Sequence, residues 1–187
     1  MKTVYILGGS NGAGKTTLAE TVLPKYLKVG EFVNADLIAG GMSAFRPESV
    51  SMDAGRAMLA RIHELSSAGK DFAFETTLAS RTFAPFLKDL KSRGYTVILI
   101  YVHLRSPGLA LRRVRLRAAR GGHDVPETIV RRRYKGGLDN LRKLYLPLAD
   151  GWFVFDNSTP KPALIAERQA GGNLEVHNQD IWKLING

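Results

Sequence analysis

The sequence predicts an α/β fold, a single domain over residues 1–187 with a five-stranded parallel sheet flanked by helices. Three observations carry this expectation. Short apolar runs alternate with longer stretches of helical period, the pattern of successive β–α–β units. A glycine-rich string lies between the first apolar run and the first helical stretch. The 187 residues suffice for one buried core, and there is no cysteine to staple it.

Taken in order, residues 3–7 (TVYIL) read as a buried strand and 15–23 as a helix stopped near Pro24. Residues 31–34 form a short second strand. Residues 47–68 read as a helix with Pro47 in its first turn and Gly69 after its end. Its apolar positions Val50, Ala54, Met58, Ile62 and Leu65 recur at three- and four-residue steps. Residues 71–75 are a third strand and 83–93 a helix closed by Gly94. Residues 96–104 (TVILIYVHL) form the longest apolar run, expected at the sheet's centre. Residues 107–120 are a helix and 121–125 a loop. Residues 126–149 are a helix, or a pair broken at Gly136–Gly137. Residues 152–156 are a fifth strand. The tail after 160 reads as a small hairpin and a final short helix.

Composition narrows the function. Without cysteine, disulfides, Cys-ligated zinc, iron–sulfur clusters and thiol nucleophiles are excluded. His63, His103, His123 and His177 share no ligand-like spacing. No apolar run approaches the ~18 residues of a membrane span, and the cytoplasm is the expected compartment. The net charge is +10, and residues 105–143 carry most of it: ten Arg and two Lys against Asp124, Glu127 and Asp139. Such a local excess predicts an anionic partner.

The string Gly9-Ser10-Asn11-Gly12-Ala13-Gly14-Lys15-Thr16 fits G-x-x-x-x-G-K-[ST] without mismatch, between a strand and a helix. Glycines let the backbone fold tightly around phosphate oxygens, and successive N–H groups form an anion nest at the helix start. Residues 9–17, Thr17 included, are therefore the nucleotide-binding candidates. Lys15 would reach the β/γ-phosphates, and the Thr16 hydroxyl would ligate Mg²⁺. Lys15 is expected to be exposed in the empty site. There is no N-K-x-D string for guanine and no L-S-G-G-Q string of transporter ATPases. The chain is too short for a ring-forming ATPase, which leaves a small kinase.

In a parallel sheet, polar residues just past the strand ends face the ligand. Here they are Asn34 and Asp36, then Glu75, Thr76 and Thr77, then His103 and Arg105, and finally Asp156, Asn157 and Ser158. A kinase needs a carboxylate to orient and deprotonate the acceptor hydroxyl. Asp36 and Glu75 are the candidates. Asp36 could instead cap the helix at 37–39, and Glu75 could support the metal. The arginines have three readings: a solvated helix face, a nucleic-acid surface, or a lid over residues 107–149. Arg113, Arg117 and Arg120 share one helical face, and Arg131, Arg132 and Arg133 lie across the Gly121–Gly122 turn. Nucleic-acid binding would add stacking aromatics, and only Tyr134 qualifies in the segment, so the lid is favoured.

The succession G-G-S-N-G-A-G-K-T-T, V-N-A-D, F-E-T-T, R-G-G-H-D-V-P, R-R-R-Y and F-D-N-S, over residues 3–158, resembles the zeta toxin family of small P-loop kinases. The resemblance implies a P-loop kinase fold with an Arg-rich helical lid. It implies ATP and Mg²⁺, a UDP-sugar such as UDP-N-acetylglucosamine as acceptor, and a protein antitoxin as partner. Asp36 matches the family's base. Glu75 and Thr77, with Arg81 grouped beside them, match substrate-contact positions. Arg117 or Arg120 and Arg132 or Arg133 match the lid arginines, with Arg120 and Arg133 taken as catalytic beside Asp36 and Lys15. The chain is shorter than the best-studied toxins, and it has Ala44-Phe45-Arg46-Pro47 where R-x-x-H-P often follows the base. A kinase of another metabolite or an antibiotic, or a nucleic-acid-binding P-loop NTPase, are the alternatives.

Overall fold

The computed structural model describes residues 2–122 and 124–187, and of Tyr26 the backbone only. His123 lies outside the described residues. The chain begins with β1 (Lys2–Gly8), α1 (Lys15–Val22), a π turn (Leu23–Leu27) and β2 (Phe32–Val33). Then come α2 (Ala35–Met42), a 3₁₀ turn (Pro47–Val50), α3 (Ser51–Ser67), β3 (Phe72–Thr76) and α4 (Phe83–Ser92). They are followed by β4 (Tyr95–His103), α5 (Pro107–Ala118), α6 (Glu127–Asn140), a π turn (Leu141–Tyr145) and α7 (Leu146–Leu148). The chain closes with β5 (Gly151–Asp156), β6 (Ala163–Arg168), β7 (Leu174–Val176) and α8 (Gln179–Asn186).

The sheet runs β2-β3-β1-β4-β5-β6-β7. The first five strands are parallel, as expected, and β4 is central. The sheet has seven strands and not five, because the tail hairpin does not stand apart: β6 pairs antiparallel with β5, and β7 with β6. A short hairpin gains little alone, and docking it on β5 satisfies a row of backbone groups. The main core lies between one sheet face and α3, α4, the 141–149 segment and α8. Phe72, Phe74, Ile62, Leu87 and Leu99 are fully buried there, each worth roughly 1.5–3 kcal/mol relative to exposure. Trp152 of β5 stacks on Trp182 of α8 at 5.3 Å. On the opposite face α1 covers Leu7 and Ala73.

One local expectation is corrected: the 47–68 stretch opens as a 3₁₀ turn before α3 begins at Ser51. Of the two readings at Gly136–Gly137, the unbroken helix is the one observed, in α6. A Cβ on Gly137 would lie 2.4 Å from the Thr77 carbonyl oxygen, so this glycine permits close approach and marks no hinge.

Candidate active site

β1 lies between β3 and β4, so the loop after it opens between their C-terminal ends. The register sets Leu7 beside Glu75 and Gly8 beside Thr76. Residues 9–16 then wrap onto the start of α1. Gly12 (φ +75°) has no room for a side chain, since a Cβ would sit 2.8 Å from the Ala110 carbonyl oxygen. Gly14 (φ +88°) starts α1, whose N-terminus has neither a side-chain cap nor an acid in its first turn. The Asn157 amide past β5 donates to the Ala13 carbonyl at 2.7 Å and fixes the loop from the other side. Gly9, Ser10 and Ala13 are buried, and the Ser10 hydroxyl has no partner among the described residues.

Lys15 is not exposed as expected; only 6% of its side chain is accessible. Its ammonium donates to the Ser10 carbonyl at 3.0 Å and stands 3.3 Å from Glu75 Oε1. The other Glu75 oxygen accepts from Thr16 Oγ1 at 2.7 Å and from Asn34 Nδ2 at 2.8 Å. Glu75 thus occupies the lysine that the sequence reserves for phosphate.

Asn34, and not Asp36, caps α2: its Oδ1 accepts from the Asp36 and Leu37 amides at 2.8 and 3.3 Å. Asp36 is left in the first turn with its carboxylate exposed. It lines two adjoining clefts of about 200 and 390 Å³ that share Gly12, Lys15, Asn34, Glu75 and Arg117. Asn11 and Thr77 line the first cleft, Thr16 and Thr17 the second. Met58 and Phe83 give the first cleft an apolar wall. The sequence hid both, since their spacing reads as ordinary core.

The arginines divide. Arg133 lines the first cleft and reaches the glycine-rich loop, with Nη1 3.5 Å from Asn11 Oδ1. Arg117 lines both clefts, and Arg113 the second. Arg120 lines a neighbouring cavity of about 390 Å³ with Arg113, Leu116 and Arg117. Arg132 is exposed and lines neither cleft. Arg81 also lies outside them, its Nε donating to Asn140 Oδ1 at 3.4 Å. Arg115 and Arg131 share Glu127 at 2.8 Å each on the outer surface. The Arg131 hydrogen bond holds the Glu127 carboxyl below its usual range. Tyr134 is half-buried, and its hydroxyl donates to the Leu104 carbonyl at 2.6 Å. His103, past the sheet's centre, is buried and lines neither cleft; burial lowers its pKa below 6.5, against the pull of Asp156.

A family model described as Zeta toxin matches residues 43–160, a span that holds Glu75 and the arginines of residues 105–142 but not the glycine-rich loop or Asp36. An uncharacterized protein of Haemophilus influenzae is 30% identical over 126 residues, 67% of this chain and 88% of that protein. The fold matches a chain of the AvrRxo1-ORF1:AvrRxo1-ORF2 complex crystallised with sulphate ions, at TM-score 0.81 and 17% identity. The match covers all of this chain, which spans 64% of the length of that one. It also matches a chain of the PezAT chromosomal toxin–antitoxin system of Streptococcus pneumoniae, at TM-score 0.70 and 19% identity over 98% of this chain and 78% of that one.

Proposed function

The chain belongs to the zeta toxin family, and from that premise we propose that it is an ATP-dependent kinase of a sugar hydroxyl, acting as the toxin of a toxin–antitoxin pair. The acceptor is UDP-N-acetylglucosamine or a related UDP-sugar, and the partner is a protein antitoxin. Solved relatives of this fold come from a toxin–antitoxin system and from a two-protein complex also crystallised with ATP. No helix among the described residues is long and apolar enough to cross a membrane.

One observation carries the reading. Lys15, Thr16 and Glu75 converge where the two adjoining clefts meet, and the clefts' other walls present the Asp36 carboxylate and the Arg133 and Arg117 side chains. The loop amides and the bare N-terminus of α1 bind the phosphates. Lys15 leaves Glu75 for the β/γ-phosphates. Asp36 orients the acceptor hydroxyl and takes its proton. Arg133 and Arg117 offset charge on the transferring group, and Arg120 remains a lid candidate at the cleft's outer edge. Thr16 and Glu75 are hard-oxygen donors beside the phosphate lysine, a donor set that fits Mg²⁺. When bound there, Mg²⁺ would supply charge neutralisation at the β/γ-phosphates. The Tyr134 ring is half-buried against the cluster of Val102, Leu104 and Val130, a poor platform for a stacked base, which disfavours the nucleic-acid reading.

The test incubates the protein with ATP, Mg²⁺ and either UDP-sugars or a metabolite extract, reading acceptors that gain one phosphate by mass. Asp36→Asn is expected to bind ATP normally in calorimetry and to lose transfer by about 10²-fold or more. Wild-type transfer by this variant removes Asp36 as base. No phosphorylated acceptor in any extract removes the kinase reading.

A further inference from the structure

Asn34 has no part in the chemistry above, yet it is 5% exposed and uses both ends of its amide. Its Oδ1 holds the first turn of α2, where Asp36 sits, through the amides of Asp36 and Leu37. Its Nδ2 donates to Glu75 Oε2 at 2.8 Å and lies 3.4 Å from Thr16 Oγ1. One neutral side chain thus joins two parts of the cleft: the carboxylate corner beside the phosphate lysine, and the helix start bearing the candidate base. A carboxamide is the side chain that can accept and donate at once without charge at this reach. Aspartate would set a second carboxylate against Glu75. Serine would cap the helix but stop short of Glu75.

We propose that Asn34 is a positioning residue that fixes the Glu75 carboxylate for Mg²⁺–nucleotide binding and, through the same amide, sets Asp36 at the acceptor. This rests on the kinase reading. It predicts that ATP affinity depends on Asn34 only where the metal contributes. Residues that orient metal-binding groups typically matter by roughly 10–100-fold.

The experiment compares Asn34→Ala and Asn34→Ser with the wild type by thermal melting and by ATP calorimetry with and without Mg²⁺. Serine caps a helix about as well as asparagine, and alanine does not. Asn34→Ala should melt a few degrees lower, and Asn34→Ser should recover most of that loss. Both should lose roughly 10–100-fold of the ATP affinity measured with Mg²⁺ and keep the affinity measured without it. In transfer assays kcat should fall in both, including the well-folded serine variant. If Asn34→Ser regains the Mg²⁺-dependent affinity together with its melting temperature, Asn34 is a helix cap alone and the proposal fails, while the kinase reading stands on Asp36→Asn. If the wild type binds no ATP with Mg²⁺ present, both fall.

Discussion

Gly137→Ala tests whether the packing of α6 holds the cleft in register. The added Cβ would stand 2.4 Å from the Thr77 carbonyl oxygen, where ordinary contact begins at 3.4 Å. Either α6 or the 77–79 loop must yield by about 1 Å, by difference of these distances. The loop is poorly free to move. Leu78 is fully buried at φ +58°, a strained backbone for leucine, and Asn140 Nδ2 grips the Leu78 and Ala79 carbonyls at 2.8 and 3.2 Å. Overpacking of this kind costs about 1–3 kcal/mol. Alanine's helix propensity returns about 0.5–1 kcal/mol. The net loss, about 1 kcal/mol at the middle of these ranges, corresponds to a melting temperature roughly 2–4 °C lower at this chain length. Arg133 lies one turn away on the same helix, and its contact with Asn11 is already long at 3.5 Å. A displacement near 1 Å should therefore cost transfer up to about 10²-fold. Gly136→Ala is the internal control, because its nearest atom, the Ala79 carbonyl oxygen, is 3.7 Å away. It should be neutral or stabilising. Circular-dichroism melts and phosphoryl-transfer rates measure both effects. A Gly137→Ala protein that melts higher and transfers normally would refute the reasoning: the loop would have given way, and the close approach would position nothing.

Two further outcomes are expected. Arg133→Ala should lower the transfer rate by roughly 10²–10⁵, whereas outward-facing Arg112→Ala should change it little; equal, graded losses seen only with RNA present, with a salt slope shallowed by about one unit each, would favour a nucleic-acid surface. His103, faced by Asp156 and Arg142, has a folded pKa below 6.5, so the unfolded chain binds its proton first and stability, full above 6.5, drains as pH falls below it. The melting temperature of His103→Gln should fall less between about pH 6.5 and 5 than that of the wild type; parallel curves would show that His103 does not carry this dependence.

The parallel sheet and the glycine-rich turn between β1 and α1 were legible because their signals are local. An apolar run, a glycine string and a helical period each lie within a few residues. What escaped the sequence depends on distant partners. Asn34 and Asp36 are equally good capping residues by type, and only the approach of Glu75 from β3 shows which one turns inward. Gly136–Gly137 looks like a helix breaker until the 77–79 loop is seen against it. Lys15 is buried because Glu75 and the Ser10 carbonyl take its ammonium, a pairing set by the register of β1 and β3. Arg117 and Arg120 share a face in a helical projection, but α5 ends at Ala118, so Arg117 on the helix lines both clefts while Arg120 in the turn beyond it lines the neighbouring cavity.

The hairpin of β6 and β7 has a consequence far from the cleft. Without it, β5 would end the sheet, and Trp152, Phe153, Val154 and Phe155 would flank a row of open amides and carbonyls. Such an edge recruits strands from other molecules. With it, the boundary passes to a three-residue strand, Leu174–Val176, whose central residue is the exposed Glu175. Short length and charge at a boundary discourage lateral growth. The tail therefore guards solubility: a chain cut after Ser158 could keep every residue of the cleft and still be lost to aggregation.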